Sequence, residues 1–198
     1  GGLDIKFVEA FEQEEMEKFL RLFYVDTLAI CRSLSKPLIT MVQGYAREGA
    51  CTLAFAGDLI IAADDADFGY PAVPNLAGPP GMHVWFLQRL IGRMKAAELI
   101  YTGEPISALD ASSMGLITKT VPAASLEAET LRMAAKIATM SPLAIKRTRK
   151  LLFEMEDMAF SEVPDVALKA LSEAFSSEDS KEARLAFREK RTPNWRNK

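Results

Sequence analysis

The chain has 198 residues, 49% hydrophobic and 26% charged, with a formal net charge of -3. This is enough for one domain with a sizeable core, and the composition is that of an ordinary globular protein. The acidic balance offers no overall basic surface to nucleic acid or an anionic membrane. The apolar runs are too short to span a bilayer, and a single histidine with two cysteines cannot build a metal cluster. Cys31 and Cys51 both sit in apolar helical pattern and read as buried thiols of a reducing compartment, the cytoplasm or an organelle matrix.

The first residues, GGLDIK, carry neither a methionine nor a signal or transit pattern, and read as a chain that continues upstream. Residues 12–34 place Met16, Phe19, Leu20, Phe23, Leu28 and Ile30 near a 3.6-residue period, which predicts an amphipathic helix with an acidic first turn. Leu38 to Val42 reads as a strand. Gly44 then turns the chain, Ala50 to Ala56 reads as an apolar helix stopped by Gly57, and Leu59 to Ala63 reads as a second, buried strand. Strand, helix and strand in that order predict a parallel sheet covered by helices, an α/β core.

Residues 69–81, GYPAVPNLAGPPG, hold four prolines and three glycines and are expected to form an irregular, pocket-lining loop. Helices are predicted at 82–91, 93–101, 107–114, 124–140, 142–156, 162–176 and 181–190, with one strand at 116–121. Ser107 and the Ser141-Pro142 pair supply N-terminal caps. The division expected is an α/β core over 1–121 and a helical region over 122–198.

One feature of this pattern points to chemistry. A helix opening on Gly49 and Ala50 leaves its first backbone N–H groups unscreened, and the helix dipole adds positive potential there, so a developing oxyanion can be held. Tight packing of the helix on the sheet explains the same small residues equally well.

The run KPLITMVQGYAREGACTLAFAGDLIIAADDADFGYPAV resembles the central segment of the crotonase superfamily, the enoyl-CoA hydratases and isomerases. AAELIYTGEPISALDASSMGLITKTVP, SPLAIKRTRKLL and SSEDSKEARLAFREKRTPNW continue that likeness to the end of the chain. The resemblance implies a spiral ββα core with a C-terminal helical oligomerisation region, built into homotrimers or dimers of trimers. It also implies an acyl-CoA thioester as substrate, coenzyme A entering only as part of that thioester and no separate cofactor being needed. Carried over by position, the two oxyanion donors are the N–H groups of Gly1 and Gly49, and Gly1 can donate an amide proton only if a residue precedes it. The resemblance also puts Phe187 and Lys190, contributed by a neighbouring subunit of the oligomer, near the nucleotide end of coenzyme A, with Lys6 as a weaker candidate.

The departures weigh as much. The two positions where family hydratases carry catalytic carboxylates hold Thr52 and Ala72, and neither residue is a general base near neutral pH. The nearest substitutes are His83, just past the Pro-Pro-Gly turn, and Glu48, where the family usually has glycine. Three activities stay open: an acyl-CoA lyase or isomerase with a non-standard acid or base, an acyl-CoA decarboxylase or thioester hydrolase, and a non-catalytic acyl-CoA-binding or scaffold homologue.

Overall fold

The structure is a computed structural model that describes residue 2 and residues 4–198. Helix α1 (Ile5–Val8) is followed by α2 (Gln13–Leu20), a π-helical turn over Arg21–Asp26, and α3 (Thr27–Ser33). The amphipathic stretch is therefore helical as expected, but wider in the middle: the Thr27 N–H and Oγ1 both reach back to the Leu22 carbonyl, five residues away.

Strand β1 (Ile39–Val42) leads through Gly44, whose φ is +60°, into β2 (Tyr45–Arg47), helix α4 (Gly49–Phe55), β3 (Leu59–Ala63) and β4 (Asp67–Gly69). β1, β3 and β6 (Lys119–Val121) form one parallel sheet with β3 central, Ile61 standing opposite both Met41 and Lys119. A central strand of a covered parallel sheet is buried on both faces. Ile60 to Ala63 are accordingly all buried. A second sheet pairs β2 parallel to β4, and β4 antiparallel to β5 (Ile106–Ser107). Strand β2 is absent from the sequence-based expectation, which passed from Gly44 directly to a helix.

The stretch 69–81 also differs from its expectation. It contains helix α5 (Ala72–Leu76), with Pro74 inside its first turn. There the missing N–H of proline removes no helical bond, so the ring is tolerated. Ala77 ends the helix in the left-handed conformation, at φ 51°. Helices α6 (His83–Ile91), α7 (Arg93–Thr102) and α8 (Ala108–Ser113) follow, and the Ser107 hydroxyl accepts from the Asp110 N–H as an N-cap. The strand expected over 116–121 is confined to β6.

Among the described residues the chain forms two compact units. One holds the residues up to Ser33 and Leu38–Arg132, which include both sheets; the other joins Leu34–Pro37 to Met133–Lys198, so the boundary falls inside α9 (Leu126–Ala138). The second unit is helical, with α10 (Pro142–Glu154), α11 (Val163–Phe175) and α12 (Glu178–Glu189). Buried polar groups fix it. The Ser141 hydroxyl donates to Asp179 at 2.5 Å, and the other oxygen of Asp179 accepts from the backbone of Arg196 and Asn197. Arg149, also buried, donates to the Leu34 carbonyl.

Candidate active site

The site grows from the junction between β2 and α4. Glu48, the residue between them, adopts φ 41° and ψ -104°. A side chain there is strained by about 1–3 kcal/mol relative to a glycine, so something must hold it. Three contacts do. The Glu48 N–H donates to the Gly69 carbonyl on β4, the Glu48 carbonyl accepts from the Thr52 N–H, and the same carbonyl accepts from His83 Nε2, at 3.1, 3.0 and 3.0 Å respectively.

Its side chain crosses to the next loop, where the Glu48 carboxylate accepts from the Ala72 N–H at 2.7 Å. The carboxyl group thus stands beside Ala72. Burial raises its pKa above the ordinary carboxylate value, and the hydrogen bond from Ala72 works against that rise.

Thr52 is fully buried on the inner face of α4 with Cys51, Ala54 and Phe55. Its Oγ1 lies 3.0 Å from His83 Nε2. A carbonyl can only accept, so the contact with Glu48 requires that Nε2 carry the proton. His83 Nδ1 is left as a buried acceptor without a partner, in a ring packed against Tyr70, Phe55 and Phe86. Burial lowers the His83 pKa to about 4, so the ring is neutral at pH 7. His83 therefore braces the backbone of Glu48 and the hydroxyl of Thr52.

Beneath them, the buried Tyr70 hydroxyl lies beside the Cys51 thiol, whose sulfur is directed to the carbonyls of Ala46 and Gly69. Burial pushes the Cys51 thiol up to about 12, which keeps it protonated and inert. No cluster of metal-ligating side chains occurs among the described residues.

Gly49 is the first residue of α4, where the helix leaves backbone N–H groups without intrahelical acceptors. Gly1 lies outside the described residues. Sequence reasoning missed Tyr24, whose half-buried hydroxyl reaches the Thr52 side chain and feels the Glu48 charge. Tyr24 is 24 residues from Glu48 in a stretch of helical pattern, and no local motif marks it.

The sequence pattern of the family described as enoyl-CoA hydratase/isomerase matches residues 1–198. The chain belongs to the enoyl-CoA hydratase/isomerase family. It is 36% identical over 203 residues to a probable mitochondrial enoyl-CoA hydratase of Dictyostelium discoideum, covering 100% of this chain and 73% of that protein. A probable enoyl-CoA hydratase of Bacillus subtilis is 35% identical over 200 residues, covering 98% and 76%. The crystal structure of an enoyl-CoA hydratase from Bacillus anthracis superposes with a TM-score of 0.95 at 31% identity, covering all of this chain and 76% of that one. An enoyl-CoA hydratase structure from Mycobacterium smegmatis gives 0.91 at 28% identity, covering 98% and 76%.

The crotonase fold expected from the sequence is thus the observed one. Of the residues expected at the nucleotide end of coenzyme A, Phe187 and Lys190 share the end of α12, and Lys6 lies on α1. Phe187, 86% exposed, lines an open concavity on α12 together with Lys181, Arg184 and Arg188. Lys190 terminates that helix in the left-handed conformation, and Lys6 is exposed on α1. Lys181, Arg184 and Arg188 were not singled out as coenzyme A contacts in the sequence; their common face follows from helical spacing once a ligand is considered.

Proposed function

We propose that this chain binds an acyl-CoA thioester, holds its carbonyl oxygen on the Gly49 N–H as the enolate forms, and moves the α-proton with the Glu48 carboxylate. The observation that carries the reading is the 2.7 Å hydrogen bond from the Ala72 N–H to Glu48, which keeps a carboxylate at a position where the sequence itself has none. Burial raises the Glu48 pKa above the ordinary carboxylate value, which makes it a stronger base than an exposed carboxylate. Gly1 is the second oxyanion donor in this proposal.

One carboxylate is sufficient to begin a 1,3-proton shift by taking the proton at C2. Glu48 takes a proton from C2 of a 3-enoyl thioester, the electron pair spreads over C2, C4 and the thioester oxygen, and a proton is delivered to C4 as Glu48 gives up the one it took, leaving the conjugated 2-enoyl thioester and the site unchanged. The reaction proposed is therefore double-bond isomerisation of enoyl-CoA. Hydration is the second reading, favoured by relatives that are named enoyl-CoA hydratases. His83 acts through Glu48, since its one N–H is committed to the carbonyl of that residue and to Thr52.

Phe187, Lys190 and the cations of α12, contributed by a neighbouring subunit, are proposed to receive the nucleotide end of coenzyme A, with Lys6 as a weaker candidate. Assembly into a trimer or dimer of trimers is proposed as well. It is supported by the apolar residues that α11 leaves exposed: Leu168, Leu171 and Phe175 are 67%, 70% and 65% accessible, and α11 has no buried residue. No helix among the described residues is long and apolar enough to cross a membrane. The site proposed works in a cytoplasmic or organelle-matrix setting.

The experiment is spectroscopic. With 3-hexenoyl-CoA, growth of the conjugated enoyl thioester absorbance reports isomerisation, and with 2-hexenoyl-CoA its loss reports hydration. Carbon dioxide release from a malonyl-type thioester, or free thiol from any of them, would instead support decarboxylation or hydrolysis. Absence of all four signals from a folded, acyl-CoA-binding protein would refute the catalytic reading.

A further inference from the structure

Tyr24 lies in the π-helical turn between α2 and α3, and three observations aim its hydroxyl at the site. The wider turn breaks the α-helical register at Arg21–Asp26, and Phe23, stacked on Phe19, meets the Tyr24 ring edge-on at 5.2 Å. Gly81, at φ +52°, makes room for the phenol: a Cβ there would lie 2.9 Å from both Cζ and the oxygen of Tyr24. The oxygen itself meets the side chain of Thr52, which is fully buried, and lies within the field of the Glu48 charge.

Thr52 stands at the first of the two missing-acid positions, and Glu48 already supplies a carboxylate beside the second. We propose that Tyr24 is the second acid–base residue of the site, a phenol that replaces the first missing carboxylate and delivers the proton at the far carbon of the substrate.

The inference rests on Glu48 as the base. In the forward step Glu48 accepts the C2 proton, the C2–H bond breaks, and the electron pair spreads over C2, C4 and the thioester oxygen. The Tyr24 O–H bond then breaks as a C4–H bond forms, giving the 2-enoyl thioester and a phenolate. The proton held on Glu48 returns to the phenolate, and no other reactant is consumed. A phenol suits the donating half of this exchange. Burial, with Glu48 adding to it, holds Tyr24 above its ordinary pKa, against the hydrogen bond with Thr52, so it carries its proton at neutral pH. Thr52, too weak an acid to give a proton itself, orients the phenol while His83 fixes Thr52 from the other side.

The test separates the two proton transfers. The wild type, Glu48→Gln and Tyr24→Phe are incubated with 3-hexenoyl-CoA in D₂O, and deuterium at C2 of recovered substrate is measured beside formation of 2-hexenoyl-CoA. Tyr24→Phe is expected to retain exchange at C2 while product formation falls about a hundredfold, as loss of one acid–base group does. The ratio of exchange to product therefore rises. Gly81→Ala, whose Cβ displaces the phenol, is expected to show the same rise if it melts cooperatively. An exchange-to-product ratio equal to the wild type's in a folded Tyr24→Phe protein would overturn the assignment of Tyr24. Retention of both signals by Glu48→Gln would instead overturn Glu48 as the base, so the two failures are distinct.

Discussion

Acidification of the protein from pH 7 to pH 4 removes a stabilising contribution that can be worked out from one residue. His83 is fully buried as the neutral ring, with its pKa lowered from 6.5 to about 4. A depressed pKa of this kind in a base means that the unfolded chain takes up the proton first. The contribution is complete above pH 6.5 and is lost as the pH falls toward 4. The difference of about 2.5 pH units corresponds to about 3 kcal/mol. That is a large part of the 5–15 kcal/mol typical of a domain of this size.

Glu48 acts in the opposite sense. Its raised carboxyl favours the fold below the unfolded value of 4.5, and that contribution is lost as the pH rises through the folded pKa. Denaturant unfolding at stepped pH, compared between the wild type and His83→Gln, isolates the histidine because Glu48 is present in both. The amide of glutamine keeps an N–H for the Glu48 carbonyl but does not titrate. The wild type is expected to lose about 3 kcal/mol more than the variant between pH 6.5 and 4. Parallel pH profiles for the two proteins would show that His83 is not held neutral by burial, and the bracing role assigned to it would fall.

Two further outcomes follow from the same geometry. Glu48→Gly relieves about 1–3 kcal/mol of backbone strain and loses a charge-assisted hydrogen bond of about 1.5–3 kcal/mol. Thermal melting should therefore change little while isomerase activity disappears, and unimpaired activity would remove Glu48 from the chemistry. Changing Lys181 and Arg184 together to alanine should raise KM for a CoA thioester about tenfold or more, through lost charge-assisted contacts. The same variant should leave the matching pantetheine thioester, which lacks the nucleotide, unaffected; equal effects on both would place the nucleotide elsewhere.

Much of the architecture was legible because apolar patterning is dictated by burial. Leu59 to Ala63 reads as a continuous apolar run because β3 is covered on both faces, and Ser107 and Ser141 mark helix starts because their hydroxyls satisfy backbone N–H groups. Strand β2 leaves no signal because three residues behind a glycine carry no alternation, and α5 is hidden because Pro74 resembles a breaker although the first turn tolerates it. The π-helical turn left no trace either, since RLFYVD has the composition of any amphipathic helix.

The site divides in the same way. Glu48 and His83 could be named as candidates from the sequence, as the titratable residues beside the glycine-led helix and the Pro-Pro-Gly turn. What could not be read was where their side chains go. That the carboxylate of Glu48 crosses to Ala72, and that the ring of His83 turns inward to the Glu48 carbonyl, depends on the pairing of β2 with β4 and on the path of the chain through Gly81. Tyr24 depends on the same long-range geometry and on an altered helical register.

The central claim is that the Glu48 carboxylate moves the proton at the α-carbon of an acyl-CoA thioester. Its most direct test is the initial rate of 2-hexenoyl-CoA formation from 3-hexenoyl-CoA by Glu48→Gln, whose amide oxygen can still accept from the Ala72 N–H, measured beside a wild type of equal melting temperature. The account predicts a fall of about a hundredfold to ten-thousandfold in that rate with acyl-CoA affinity retained. A folded Glu48→Gln protein that isomerises at the wild-type rate would contradict it.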